Sequence, residues 1–152
     1  MASTGIDRET GLPLSGFDHV RQCVEVIFNT RLSDMIMLRW FGSGLAELLG
    51  RRMTQRNLSL YQTLIALAIT TWEPRLAVVA VRATGNTAGA AILGHLSFVL
   101  LCQYRPNALR GDLTVEGGMR RVAYGRVGNT LTFSPMLNDP NASGVISTLS
   151  RG

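Results

Sequence analysis

At Pro74 the chain changes its grammar. Up to Trp72 apolar residues recur at helical spacing, whereas the run from Leu76 to Ala83 is continuous and β-branched. Proline has no N–H to continue a helix and pushes the residue before it out of the helical region. Trp72-Glu73-Pro74-Arg75 is therefore a compulsory corner from helix to strand, and a helix joined directly to a strand restricts a chain of 152 residues to mixed architectures with one core.

Upstream of the corner, Val20, Val24, Ile27 and Phe28 stand at helical spacing behind Asp18, which predicts a capped helix from Asp18 to about Asn29. Residues 30–41 mix Met35, Ile36, Met37 and Leu38 with Arg31, Asp34 and Arg39 and predict an extended connector. Gly42-Ser43-Gly44 breaks the chain, Ser43 is placed to cap a short helix carrying Leu45, Leu48 and Leu49, and Gly50 supplies its stop. The third helix is expected over Leu58 to Trp72, with Leu60, Leu64, Leu67 and Thr71 on its face and Tyr61, Ile65 and Ala68 on the flank.

Downstream, the strand Leu76 to Ala83 and a second strand within Ile92 to Leu101 predict a hairpin around Gly85 to Gly89. Leu109 to Val115 is a further candidate strand, Gly117-Gly118 a break, and residues 120–133 a second, separate hairpin turning at Gly128-Asn129. Residues 1–16 are polar and Gly/Pro-rich, and from Ser134 the chain is again Pro, Asn, Asp, Ser and Gly, so both ends are expected to stay loose until a partner orders them. The expected division is a flexible arm over 1–16, a main domain over 17–116, and a hairpin-and-tail extension over 117–152. The expected fold class is α+β, N-terminal helices packed on a small β-sheet.

Apolar residues make up 46% of the chain and charged residues 16%, leaving a surface of small and weakly polar groups suited to permanent partners. All 15 basic residues are Arg, whose planar fork suits desolvated carboxylate contacts at interfaces. They are scattered from Arg8 to Arg151 with only Arg51-Arg52 and Arg120-Arg121 adjacent, unlike a phosphate-tracking stripe, so no nucleic-acid partner is expected and a small Arg-rich nucleic-acid-binding protein is only the third reading. Cys23 and Cys102 lie in apolar segments and read as reduced core residues. The N-terminus carries no apolar core of a secretory signal and no apolar run reaches a bilayer's thickness, so neither export nor a membrane partner is expected.

Glu73 and Arg75 place opposite charges on a rigid joint beside the indole of Trp72. In isolation this is an ordinary helix stop with a local ion pair. Together with Arg39-Trp40-Phe41-Gly42-Ser43-Gly44-Leu45, the Leu-rich short helix, the helix of Leu60 to Thr71 and the following strand, however, the order and spacing resemble the phage baseplate protein W family. That family comprises wedge subunits of contractile tails, with relatives in R-type pyocins and type VI secretion baseplates. The resemblance covers roughly residues 10–115; residues 117–152 lie beyond it.

The resemblance implies a sheet like the interlocking domain of the tail sheath, in a baseplate wedge domain at 17–116. It further implies that Trp72, Glu73, Pro74 and Arg75 engage the helical core bundle of the larger wedge proteins, so that Arg75→Ala spares the fold but abolishes wedge assembly. Arg39, Phe41, Gly42 and Gly44 form the structural motif. Val78, Val79, Val81, Leu96, Phe98 and Val99 lie on strands facing the sheath, one of them an exposed edge that templates an added strand. The implied partners are wedge proteins and sheath, with tail tube or hub as a further candidate, in multiple copies of a symmetric particle. The place is the virion tail baseplate, assembled in the host cytoplasm.

Some relatives carry a lysozyme label, which makes a cell-wall glycosidase the leading alternative. That chemistry needs two flanking carboxyl groups, one with a raised pKa. Glu25 and Glu47 fall on short helices with solvated faces, and Arg75 beside Glu73 stabilises the wrong protonation state for an acid. His19 and His95 with two distant cysteines have no metal-ligand spacing, and Gly42-Ser43-Gly44 lacks the Lys of a phosphate loop. No cofactor or metal is expected, and the chain reads as a structural protein rather than an enzyme.

Overall fold

The computed structural model describes residues 3–48, 54–83, 97–127 and 130–135. Two short strands, β1 (Thr4–Ile6) and β2 (Pro13–Ser15), pair antiparallel and lead directly into α1 (Gly16–Asn29). The single turn α2 (Leu45–Leu48) precedes the long helix α3 (Gln55–Trp72). Beyond the corner, β3 (Leu76–Ala83), β4 (Ser97–Tyr104), β5 (Glu116–Val127) and β6 (Thr130–Pro135) form one antiparallel sheet in the order β3-β4-β5-β6. This is the α+β class expected from the sequence.

The core forms where the helical and strand periods meet. α1 contributes Val20, Val24, Ile27 and Phe28, and α3 contributes Tyr61, Ile65, Ala68 and Ile69. Alternate residues of β4, namely Phe98, Leu100, Cys102 and Tyr104, point into the same layer, joined by Leu76, Val122 and Tyr124. The Phe28 ring meets Tyr124 edge-on at 4.6 Å between centroids. Burial pushes the Tyr124 phenol strongly up from its ordinary pKa, so it stays protonated there. Each large side chain so buried contributes about 1.5–3 kcal/mol, which is why both helices settle on one face of the sheet.

Several expectations are corrected. The inward face of α3 is the Tyr61-Ile65-Ala68-Ile69 stripe, while Leu60 and Leu67, expected to mark its face, are 43% and 59% exposed. Both stripes have helical period, and packing against the sheet selects between them. α3 starts at Gln55, where the Thr54 hydroxyl accepts from the Asn57 N–H at 3.3 Å, rather than at Leu58. α1 starts at Gly16 behind Ser15, so Asp18 lies inside the first turn, where it complements the helix dipole instead of capping. Ser43 does not cap α2, because its buried hydroxyl donates to the carbonyl of Phe28 at 3.3 Å.

Residues 31–41 are turns and bends rather than an extended connector, with Ile36 and Met37 exposed. Leu109 to Val115 supplies no strand; a 3-10 turn at Ala108–Arg110 is followed by irregular chain. Gly117 and Gly118 do not break the chain. With φ of 75° and 74° they lie within β5, where pairing jumps from Gln103↔Met119 to Tyr104↔Glu116, so the two glycines form a bulge. The second hairpin is consequently not separate: β5 pairs with β4 as well as β6, completing the hydrogen bonds that a lone β3-β4 hairpin leaves open.

Within residues 4–15, expected as loose arm, β1 and β2 form a hairpin held by its own chain. Gln22 on α1 donates to the Ile6 carbonyl at 2.9 Å and accepts from the Arg8 N–H at 3.2 Å. The Asp7 carboxylate accepts from the Glu9 N–H at 3.0 Å and the Thr10 hydroxyl at 2.8 Å, bonds that also lower its pKa. Leu49, Gly50, the Gly85 to Gly89 turn, the strand start from Ile92, His95, Leu96, Gly128-Asn129 and the tail beyond 135 lie outside the described residues.

Candidate functional site: a locked corner and an open edge

The corner is built by main-chain bonds first. The Glu73 N–H closes the last turn of α3 on the Ile69 carbonyl at 2.8 Å, and the Leu76 N–H returns to the Glu73 carbonyl at 3.0 Å. The Arg105 N–H then donates to the Arg75 carbonyl at 2.8 Å, tying the corner to the end of β4. Pro74 sits exposed on the outside of this turn.

Glu73 and Arg75 do not project from the joint, as expected, but turn inward. They are 3% and 4% exposed and pair as a two-pronged fork, Nε to Oε1 and Nη2 to Oε2, each at 2.6 Å. The remaining guanidinium donors reach Cys23 Sγ at 3.4 Å, His19 Nδ1 at 3.2 Å and the Ser3 hydroxyl. All five N–H directions of Arg75 thus find an acceptor, which is the condition for burying this cation. Because guanidinium only donates, His19 must accept at Nδ1 and carry its proton on Nε2. The hydrogen bonds with Glu73 raise the Arg75 pKa, and burial raises that of the Cys23 thiol despite the nearby Arg75. Ser3, His19 and Cys23 were not legible as partners, since separations of 72, 56 and 52 residues leave no local signal.

The Phe41 to Gly44 segment crosses the end of α1. Gly42 has φ of 122°, and a Cβ there would stand 2.6 Å from the Thr30 carbonyl oxygen, so glycine is required. Gly44 is different: an added Cβ would meet only Leu64 at an ordinary 3.6 Å. Phe41 packs edge-on against Trp72 at 5.0 Å, linking this motif to the corner, while Arg39 is exposed. A largely apolar groove of about 360 Å³ lies alongside, bounded by Leu32, Trp40, Leu64, Leu67 and Trp72.

Of the expected sheath-facing residues, Val78 and Val81 lie on β3, partly buried against the core, and Val79 is 53% exposed at a bulge where pairing skips from Val78↔Cys102 to Ala80↔Leu101. Phe98 is core, 1% exposed, and Val99 lies on β4, which is flanked on both sides. Among the described residues the edge strands are β3 and β6, and β4 is flanked on both sides, so it offers no template. A second groove, about 510 Å³, runs between β3 and the Gln62, Thr63, Ala66, Leu67 and Thr70 side of α3.

Among the described residues no two carboxyl groups form a glycosidase pair. Glu73 has both oxygens on Arg75, Glu47 is exposed on α2, and Glu25 is on α1. Asp7 and Asp112, the carboxyls whose pKa values shift, both shift down through backbone N–H bonds, from Glu9 and Thr114 respectively. Among the described residues no three of His, Cys, Asp and Glu gather as a metal site, and no helix is long and apolar enough to cross a membrane.

Fold and site together define a small α+β domain with a locked corner and, among the described residues, an open sheet edge. A family model described as "Baseplate wedge protein gp25" matches residues 14–105, and the chain belongs to that family. It is a structural component of the tail baseplate of a contractile particle. The chain is 24% identical over 111 residues to baseplate protein W of Escherichia phage P2, covering 73% of this chain and 92% of that protein. It superposes on a chain of the postcontracted pyocin R2 baseplate with a TM-score of 0.57 and 31% identity, covering 67% of this chain and 98% of that one. Two further structures share the fold. A putative tail lysozyme from Geobacter sulfurreducens gives a TM-score of 0.56 at 20% identity over 74% of this chain and 92% of that one. A chain of the anti-feeding prophage baseplate gives 0.52 at 21%, over 70% and 87%.

Proposed function

We propose that this chain acts as a non-enzymatic wedge subunit that binds the core bundle of larger wedge proteins at the Trp72–Arg75 corner and starts sheath assembly by accepting a sheath strand at the edge of β3. The observation that carries the sheath reading is the position of β3: among the described residues it is outermost in the sheet, bonded on one side by β4, and bordered on the other by a groove. Open main-chain donors and acceptors beside an apolar groove are a template for strand addition. At the corner, the buried fork fixes the backbone, so the surfaces left for the core bundle are the exposed Pro74 and the half-buried Trp72. Copies arranged around the tail axis would each offer one edge to the first sheath ring, with tail tube or hub as a further neighbour.

Val81 accepts a bond from Gln62, and both line the groove beside β3, so we assign the Val81 carbonyl to the side away from β4; antiparallel geometry then puts its N–H on that same side. Val81→Pro therefore removes a donor that an added strand needs, and Ala83→Pro does the same nearer the strand end. Variant baseplates that assemble and carry tubes without sheaths are the expected micrographs. Normal sheaths on baseplates shown to contain either variant would refute the template reading.

A further inference from the structure

One side chain already occupies the open edge. Gln62 Nε2 donates to the Val81 carbonyl at 3.1 Å, from a helix position 19 residues earlier. Gln62 belongs to the side of α3 that overhangs β3 rather than to the stripe entering the core, and it lines the 510 Å³ groove with Thr63, Ala66, Leu67 and Val79. An amide N–H on a strand's outward carbonyl is the bond that the next strand of a sheet would make. Gln62 thus imitates one rung of a fifth strand.

We infer that Gln62 is a guard: it satisfies the Val81 carbonyl while the edge is empty, suppresses pairing of two copies edge to edge, and swings away when the proper strand arrives. The groove also specifies its occupant. Its lining is uncharged, with small and apolar groups at Ala66, Leu67, Val78, Val79 and Ala80 and hydroxyls at Thr63 and Thr70. A single extended segment of small apolar and hydroxyl-bearing residues fits this, and a charged residue set over Ala66 does not. The bulge at Val79 adds a second defence, since it twists the edge away from a flat partner. The release of Gln62 when a strand arrives rests on the reading of β3 as a template; the guard against edge-to-edge pairing does not.

Gln62→Ala and the similarly sized, uncharged Gln62→Met both remove the donor, and Gln62→Lys keeps one. Self-association of the full chain, followed by sedimentation over a concentration series, needs no partner. The two donor-free variants are expected to self-associate roughly 2- to 10-fold more tightly than wild type, the range of one hydrogen bond, with Gln62→Lys close to wild type. Double variants with Val81→Pro should lose that gain. If Gln62 merely braced α3 on β3, its removal would lower the urea midpoint and leave self-association unchanged, which overturns the guard. The sheath assay separates the two readings. Sheath-free tubes with Val81→Pro, alongside unchanged self-association in Gln62→Ala, sink the guard and keep the template. Normal sheaths with Val81→Pro sink the template, while tighter self-association in Gln62→Ala keeps the guard against edge-to-edge pairing.

Discussion

Arg75→Ala tests how the corner is held. In the wild type both Glu73 oxygens receive charged donors at 2.6 Å, and the pair is nearly inaccessible to water, with 5% and 3% side-chain exposure. Deleting the guanidinium strands a carboxylate in that environment and leaves Ser3, His19 and Cys23 without their donor. Breaking such a buried pair from one side costs about 3–5 kcal/mol, a large share of the 5–15 kcal/mol that holds a domain together. With a urea dependence near 2 kcal/mol/M, the midpoint should fall by roughly 1.5–2.5 M. Glu73→Ala should fall comparably, and a paired replacement such as Glu73→Leu with Arg75→Met should recover much of the loss, because no charge is then left unpaired. Equilibrium urea unfolding followed by circular dichroism measures all three. Shifts below about 0.5 M for both single variants would place the pair with exposed ion pairs of 0–1 kcal/mol and refute the argument. The expectation that Arg75→Ala spares the fold is replaced by this one, so its loss from baseplates would report a loosened corner, and Pro74→Asp becomes the cleaner test of core-bundle binding.

The two glycines of the Phe-Gly-Ser-Gly segment should separate. Gly42→Ala forces a side chain into the positive-φ region against the Thr30 carbonyl and should cost about 1–3 kcal/mol, whereas Gly44→Ala should stay within about 0.5 kcal/mol, both read from thermal unfolding. Stability should also decline in alkali. Burial raises the pKa values of Cys23, Tyr104 and Tyr124 above their ordinary values, so the unfolded chain releases these protons first. Their contribution is complete below the ordinary thiol and phenol range and is lost as pH rises through it, from about pH 9 upward. Urea midpoints measured between pH 7 and 11 should fall, and the fall should begin later in Cys23→Ala; a flat profile would contradict the burial of these groups.

Much of the architecture was written in short-range pattern. The α1 stripe of Val20, Val24, Ile27 and Phe28 is the stripe found in the core, and the turn at Pro74 stands where a proline compels it. These features depend on neighbours within one or two turns or on a single residue's stereochemistry, and both are visible along the chain. What tertiary structure alone decided was partner choice. α3 carries two apolar stripes of the same period, and only docking on the sheet selects Tyr61 and Ile65 over Leu60 and Leu67. Gly117-Gly118 has the composition of a break, and becomes a bulge because β4 needs a second neighbour. Glu73 and Arg75 read as outward charges until Ser3, His19 and Cys23 arrive from more than 50 positions away to complete the guanidinium's acceptors. The identity of the free edge follows the same logic: it depends on strand order, which is a competition among long-range pairings that no local period encodes.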